Sequence, residues 1–135
     1  MSTDIVLAVS IASLFLFLIL IRLRRRFQSG PIRSVSPVEA LAMIGENTPV
    51  IDVRTLSEFK SATGHLPTAR LIPVHELGSR LSELSHLKDK PILVYCRSGH
   101  RSVVASKLLA RQGFNPLNLT GGIIRWIGES MPIER

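Results

Sequence analysis

The chain has 135 residues, 45% of them hydrophobic, enough for one compact domain plus an appendage. Its net charge of +7 is uneven: residues 1–33 hold five arginines against Asp4, while the remaining 102 residues carry only +3, too mild a surplus for nucleic-acid binding. One cysteine excludes an internal disulfide and any Cys-x-x-Cys centre, and His65, His75, His86 and His100 lack ligand spacing, so neither a metal nor a cofactor is expected.

From Ile5 to Ile21 no charge interrupts a run of Leu, Ile, Phe and Val, with Ser10 and Ser13 its only polar residues. With Leu23 added, the run is about long enough at ~1.5 Å per residue to cross a hydrocarbon core, so the bilayer is the partner expected for residues 5–23. A cleavable signal peptide carries its positive charge ahead of the apolar stretch. Here Asp4 precedes it, Arg22, Arg24, Arg25 and Arg26 follow, and no small-residue cleavage site appears. Residues 1–26 therefore read as a retained single-pass anchor with a basic flank. By the positive-inside rule the rest faces the cytoplasm from the inner membrane, a reducing compartment that suits a free thiol.

Residues 27–33 (F-Q-S-G-P-I-R) read as a linker and 34–135 as the folded domain. Ser36-Pro37-Val38-Glu39 has the form of a capping box and predicts a helix through Ile44. Pro49 to Val53 predicts a strand, Leu56 to Ser61 a short helix, Gly64 to Pro67 a turn and Ala69 to Pro73 another strand. Leu77, Leu81, Leu84 and Leu87 form an apolar stripe on a helix ending near Lys90. Ile92 to Tyr95 is a third apolar strand, followed by a helix from Ser102 to Gly113. Leu117 to Leu119 is a last strand, and Gly121-Gly122 turns into a short helix bearing Trp126. Short strands alternating with helices predict an α/β fold, a parallel sheet with helices on both faces.

The stretch richest in chemistry is P-I-L-V-Y-C-R-S-G-H-R-S, Pro91 to Ser102. Cys96 ends the apolar strand, and four residues separate it from Arg101 at the mouth of the following helix. Ligands of open parallel sheets bind beyond the carboxyl ends of the strands, where Cys96 falls. Converging loop N–H groups, the helix dipole, Arg97 and Arg101 all favour a thiolate beside an anionic ligand. A buried structural cysteine would need none of these neighbours.

Three segments together resemble the single-domain rhodaneses: I-D-V-R-T-L-S-E-F with G-H-L-P-T-A-R-L-I-P (51–73), Y-C-R-S-G-H-R-S (95–102) and L-T-G-G-I-I-R-W (119–126). The likeness spans residues 34 to 130. It implies a five-stranded parallel sheet and a sulfurtransferase that takes sulfur from thiosulfate or a persulfide donor, with Cys96 as the persulfide carrier. A thiol or dithiol, or cyanide in an assay, would be the acceptor. Two departures lie near the rim of the expected site: four residues, Lys60 to Thr63, precede Gly64 where two are more usual, and Leu71 replaces a common Asn.

The expected substrate-binding residues are Arg97, Ser98, Gly99, His100, Arg101 and Ser102. Arg101, with Arg97 beside it, would neutralise a dianionic donor while loop N–H groups hold the sulfur. Asp52 and Arg54 read as a supporting pair within the fold, and Glu58 as structural. His65 reads as a turn hydrogen-bonder, His100 as either a substrate contact or a solvated loop position, and Trp126 as a core residue. Two other function classes stand beside the sulfurtransferase. A cysteine phosphatase or arsenate reductase shares the strand–loop–helix, but with five residues between Cys and Arg. A non-catalytic membrane-tethered module of the same fold would have no use for the intact cysteine and arginines.

Overall fold

The computed structural model describes residues 3–27 and 30–135; Met1, Ser2, Gln28 and Ser29, with part of the expected 27–33 linker, and the side chains of Arg24, Arg25, Arg26 and Phe27, lie outside the described residues. α1 (Thr3–Phe27) realises the apolar run as one helix. Its Thr3–Leu23 stretch is long and apolar enough to cross a membrane, and none of it is buried against the rest of the chain. Its two serines satisfy themselves: their hydroxyls donate to the carbonyls of Val6 and Val9, at 2.8 and 2.9 Å.

The domain then builds β1 (Ser34–Val35), α2 (Pro37–Gly45), β2 (Val50–Asp52), α3 (Leu56–Phe59), β3 (Arg70–Leu71) and α4 (Val74–Leu77). A 3-10 run (Gly78–Leu87) leads into β4 (Pro91–Tyr95), α5 (His100–Arg111), β5 (Asn115–Leu119) and α6 (Gly122–Gly128). The five strands form one parallel sheet in the order β1-β5-β4-β2-β3. Alternation along β4 divides its side chains between two cores. Ile92 and Val94 face one with Leu84 and Leu109; Leu93 and Tyr95 face the other with Ile123 and Trp126. The expected α/β architecture is the one found.

The differences from the sequence reading are local. The capping box at Ser36 forms in full, Glu39 accepting from the Ser36 N–H at 2.8 Å. The helix expected over the Leu77–Leu87 stripe is instead one α turn followed by 3-10 winding. Leu81, Leu84 and Leu87 recur every three residues, the 3-10 period, and the hydroxyls of Ser79 and Ser85 bond the carbonyls three residues back, at 2.9 and 3.0 Å. β1 has only two residues, too few for strand periodicity in the sequence; its place comes from pairing Ser34 and Val35 with Asn118 and Leu119.

Candidate active site

β4 delivers Cys96 to the carboxyl edge of the sheet, beside the end of β2, where Asp52 pairs in register with Tyr95. The loop turns at Gly99, whose φ of +109° is a left-handed conformation open to glycine, and α5 starts at His100, two residues earlier than expected. The turn folds N–H groups back onto the sulfur: Gly99 donates to Cys96 Sγ at 3.1 Å and Ser102 at 3.4 Å. The Ser102 hydroxyl also lies 3.4 Å from Sγ, but it has one proton and a nearer acceptor in Asn118 Oδ1 at 2.6 Å. Asn118 in turn donates to Ser34 Oγ at 3.3 Å. The backbone N–H groups are therefore the firm donors to sulfur.

Cys96 is 1% exposed. Burial works to raise its thiol pKa, but the Ser102 hydroxyl beside the sulfur and the N–H groups of Ser102, Gly99 and Ser98 together outweigh it and hold the thiol below its ordinary value. The far side of the loop is pinned by α6, whose Ile123 and Ile124 N–H groups donate to the carbonyls of Cys96 and Arg97 at 2.9 and 3.2 Å. That approach needs Gly122: a Cβ there would lie 2.4 Å from the Arg97 carbonyl oxygen. The Gly-Gly of the L-T-G-G segment thus exists to seat a helix against the cysteine loop.

The charged residues divide into three settings. Asp52 and Arg54 pair at 2.6 Å with side chains 0% and 2% exposed. Tyr95 donates to the same carboxylate at 2.5 Å and accepts from the Leu66 N–H at 3.1 Å, while Arg54 donates to the Gly64 carbonyl at 2.9 Å. This network ties the ends of β2 and β4 to the Gly64–Leu66 turn. Burial and the neighbouring Asp52 push the Tyr95 hydroxyl far above its ordinary pKa, so it stays a donor. For Arg54, burial opposes the charge but Asp52 more than offsets it, and the pKa is raised.

Arg101 lies in the second setting. It grips Glu58 with both terminal guanidinium nitrogens, Nη1 to Oε2 at 2.8 Å and Nη2 to Oε1 at 2.7 Å. Glu58 belongs to a second capping box at the start of α3, accepting from the Thr55 N–H at 3.0 Å. Donation from Arg101 is the chief cause holding its carboxyl at about 2; burial opposes it, and Thr55 adds to the lowering. The charge expected for the donor is thus already partly answered within the protein.

In the third setting Arg97 is exposed and makes no ion pair among the described residues. It lines a cleft of about 200 Å³ with Ser57, Ser61, Thr63, Ile124 and Ile127. Ser61 and Thr63 come from the Lys60–Thr63 insertion, so the departure from the usual spacing helps build this wall. His100 is exposed and its Nδ1 lies 3.3 Å from Ser98 Oγ. His65 stacks on Phe59 at 3.9 Å and bridges by backbone to Glu134, as a turn residue should.

The Glu58 carboxylate sets an acid sensitivity. A carboxyl bound at about 2 rather than its usual 4.5 contributes stability that is complete above about pH 4.5 and is lost as pH falls towards 2. Glu58→Gln should therefore lower the thermal midpoint at about pH 6, with the gap to the unaltered protein closing towards about pH 2.5. A gap independent of pH would mean that the pair contributes nothing through charge.

A cysteine cradled by loop N–H groups at the carboxyl end of a parallel strand defines the strand–loop–helix site of this α/β domain. Residues 36–129 match the family model described as Rhodanese-like domain, and the chain belongs to that family. It is 42% identical over 89 residues to a sulfurtransferase of Allochromatium vinosum, covering 65% of this chain and 79% of that one. A putative sulfurtransferase of Bacillus subtilis is 39% identical over 83 residues, covering 62% and 77%. Among solved structures, a rhodanese-related protein of Thermoplasma volcanium superposes with a TM-score of 0.67 at 32% identity, covering 74% of this chain and 95% of that one.

Proposed function

We propose that the protein is a membrane-anchored sulfurtransferase that carries a sulfane sulfur on Cys96. The observation that carries this reading is the pair of N–H donors from Gly99 and Ser102 aimed at a thiol held below its ordinary pKa. The thiolate attacks the outer sulfur of thiosulfate or of a persulfide donor. The donor's S–S bond breaks, its electron pair leaves on sulfite or on the donor thiolate, and Cys96 becomes a persulfide. The added sulfur lengthens the side chain by about 2 Å, from the floor of the loop towards its opening. An acceptor thiolate then takes that terminal sulfur, and the Cys96 thiolate departs with the bonding pair.

Loop N–H groups stabilise the anionic sulfur without reorganising. Arg97, facing the cleft, meets the donor's remaining charge; Arg101, clasped by Glu58, holds the loop in shape and adds a background field. Ser98 and His100 stand at the loop mouth, Ser102 fixes the sulfur from below, and Asp52 with Arg54 supports the strand ends. Residues 5–23 span the bilayer, with Arg22, Arg24, Arg25 and Arg26 on the cytoplasmic side and the domain facing the cytoplasm.

The short loop and the Glu58–Arg101 clasp both speak against a phosphatase, which needs room and an open arginine for a tetrahedral oxyanion. Side-by-side assays decide the class. Thiosulfate with cyanide should be turned over and an aryl phosphate left essentially intact; preferential hydrolysis of the aryl phosphate would reverse the assignment.

A further inference from the structure

The parallel sheet gives the domain two unlike edges. Cys96 marks the edge where strands end, while Arg33, Lys90 and Phe114 immediately precede β1, β4 and β5 on the opposite edge. α5 runs back from the cysteine loop, so its last turns bring Lys107 and Arg111 to that strand-start edge. One cavity of about 360 Å³ is lined by Gly30, Arg33, Lys88 and Phe114, and a neighbouring one of about 200 Å³ by Gly30, Ile32, Lys107 and Arg111. The incoming chain is thus surrounded by cations. Lys88 keeps its ammonium 5.4 Å from the Phe114 ring centroid.

The pairing pattern sharpens this segregation. Arg54, Arg70, Arg80, Arg101 and Arg125 all hold carboxylates, whereas Arg33, Lys88, Lys90, Lys107 and Arg111 make no ion pair among the described residues. Glu46 and Asp89 share the edge and Glu39 is within electrostatic reach of Arg33, but the five cations outnumber these acids and leave it net positive. Compensation of the α5 dipole accounts for Lys107 and Arg111 but not for Lys88, Lys90 or Arg33.

Covalent reach supplies the partner. From Phe27, the end of α1, to Gly30 there are three Cα steps, at most about 11 Å, close to one Debye length at physiological salt. With α1 in a bilayer, this edge cannot sit far from the headgroups. We propose that the strand-start edge, through Arg33, Lys88, Lys90, Lys107 and Arg111, is a docking face for an anionic phospholipid surface. The Cys96 loop then points away from the bilayer, towards soluble donors and acceptors. The inference rests on the reading of Thr3–Leu23 as a membrane span.

The test uses the full chain reconstituted in vesicles of phosphatidylcholine, alone or with about a third phosphatidylglycerol, and a membrane-impermeant amine reagent read by mass spectrometry. Labelling of Lys88, Lys90 and Lys107, relative to Lys60 at the end of α3, should fall about fivefold or more in the anionic vesicles. About 0.5 M salt should restore it. The triple substitution Lys88→Glu, Lys107→Glu, Arg111→Glu, all at exposed positions, should abolish the protection of Lys90. Labelling ratios unchanged between the two vesicle types would overturn the docking face. Extraction of the chain by alkaline carbonate would overturn the span, and the docking with it; retained protein with unprotected lysines overturns the docking alone.

Discussion

Asp52→Ala should cost the domain about 3–5 kcal/mol, a large share of a typical total of about 5–15 kcal/mol. The effect comes from what is left behind. Arg54, 2% exposed, would keep a full charge with no carboxylate beside it, and the Tyr95 hydroxyl would lose its acceptor at 2.5 Å. Asp52→Asn retains an acceptor oxygen for Tyr95 and should lose less. Trp126, the one tryptophan and fully buried in the second core, reports the unfolding directly. Its fluorescence should show the urea midpoint of Asp52→Ala falling by at least about 1 M. A loss below about 1 kcal/mol would mean that water reaches Arg54 and that the network does not organise the strand ends.

Cys96→Ser should abolish sulfur transfer, lowering turnover by at least about 10³-fold, while leaving the fold intact. Serine fits the same space and can still accept from Gly99 and Ser102, so Trp126 fluorescence and the unfolding midpoint should hardly move. What is lost is the chemistry: a hydroxyl ionises far above neutral pH and cannot carry a sulfane sulfur. The same environment predicts that iodoacetamide alkylates the unaltered protein quickly at neutral pH, with a rate midpoint below the ordinary thiol range. A serine variant as active as the unaltered protein would remove Cys96 from the reaction.

The parts of the site legible in the sequence were those encoded by neighbours along the chain. The strand ending on Cys96, the glycine at the turn and the helix beyond it follow from local residue types. So does the capping box at Ser36. What stayed hidden depends on tertiary contact. Arg101 read as an open cation because Glu58, its clasp, lies 43 residues away. Asn118 carried no signal of its own, sitting in an apolar strand, yet it takes the Ser102 proton and so decides which donors serve the sulfur. Ser34 and Val35 are too short a segment to show strand periodicity, and only their register with β5 makes them one. The T-L-S-E box at Thr55 is local, encoded by the same Ser/Thr-x-x-Glu spacing as the one at Ser36.

A covalent sulfur on a cysteine with no second thiol in the chain is tested most directly by intact mass. Protein exposed to thiosulfate without any acceptor should gain the mass of one sulfur atom, confined to the peptide containing Cys96, and should lose it when cyanide is added. A mass unchanged by donor alone, in protein that still turns over thiosulfate once cyanide is present, would contradict the persulfide account.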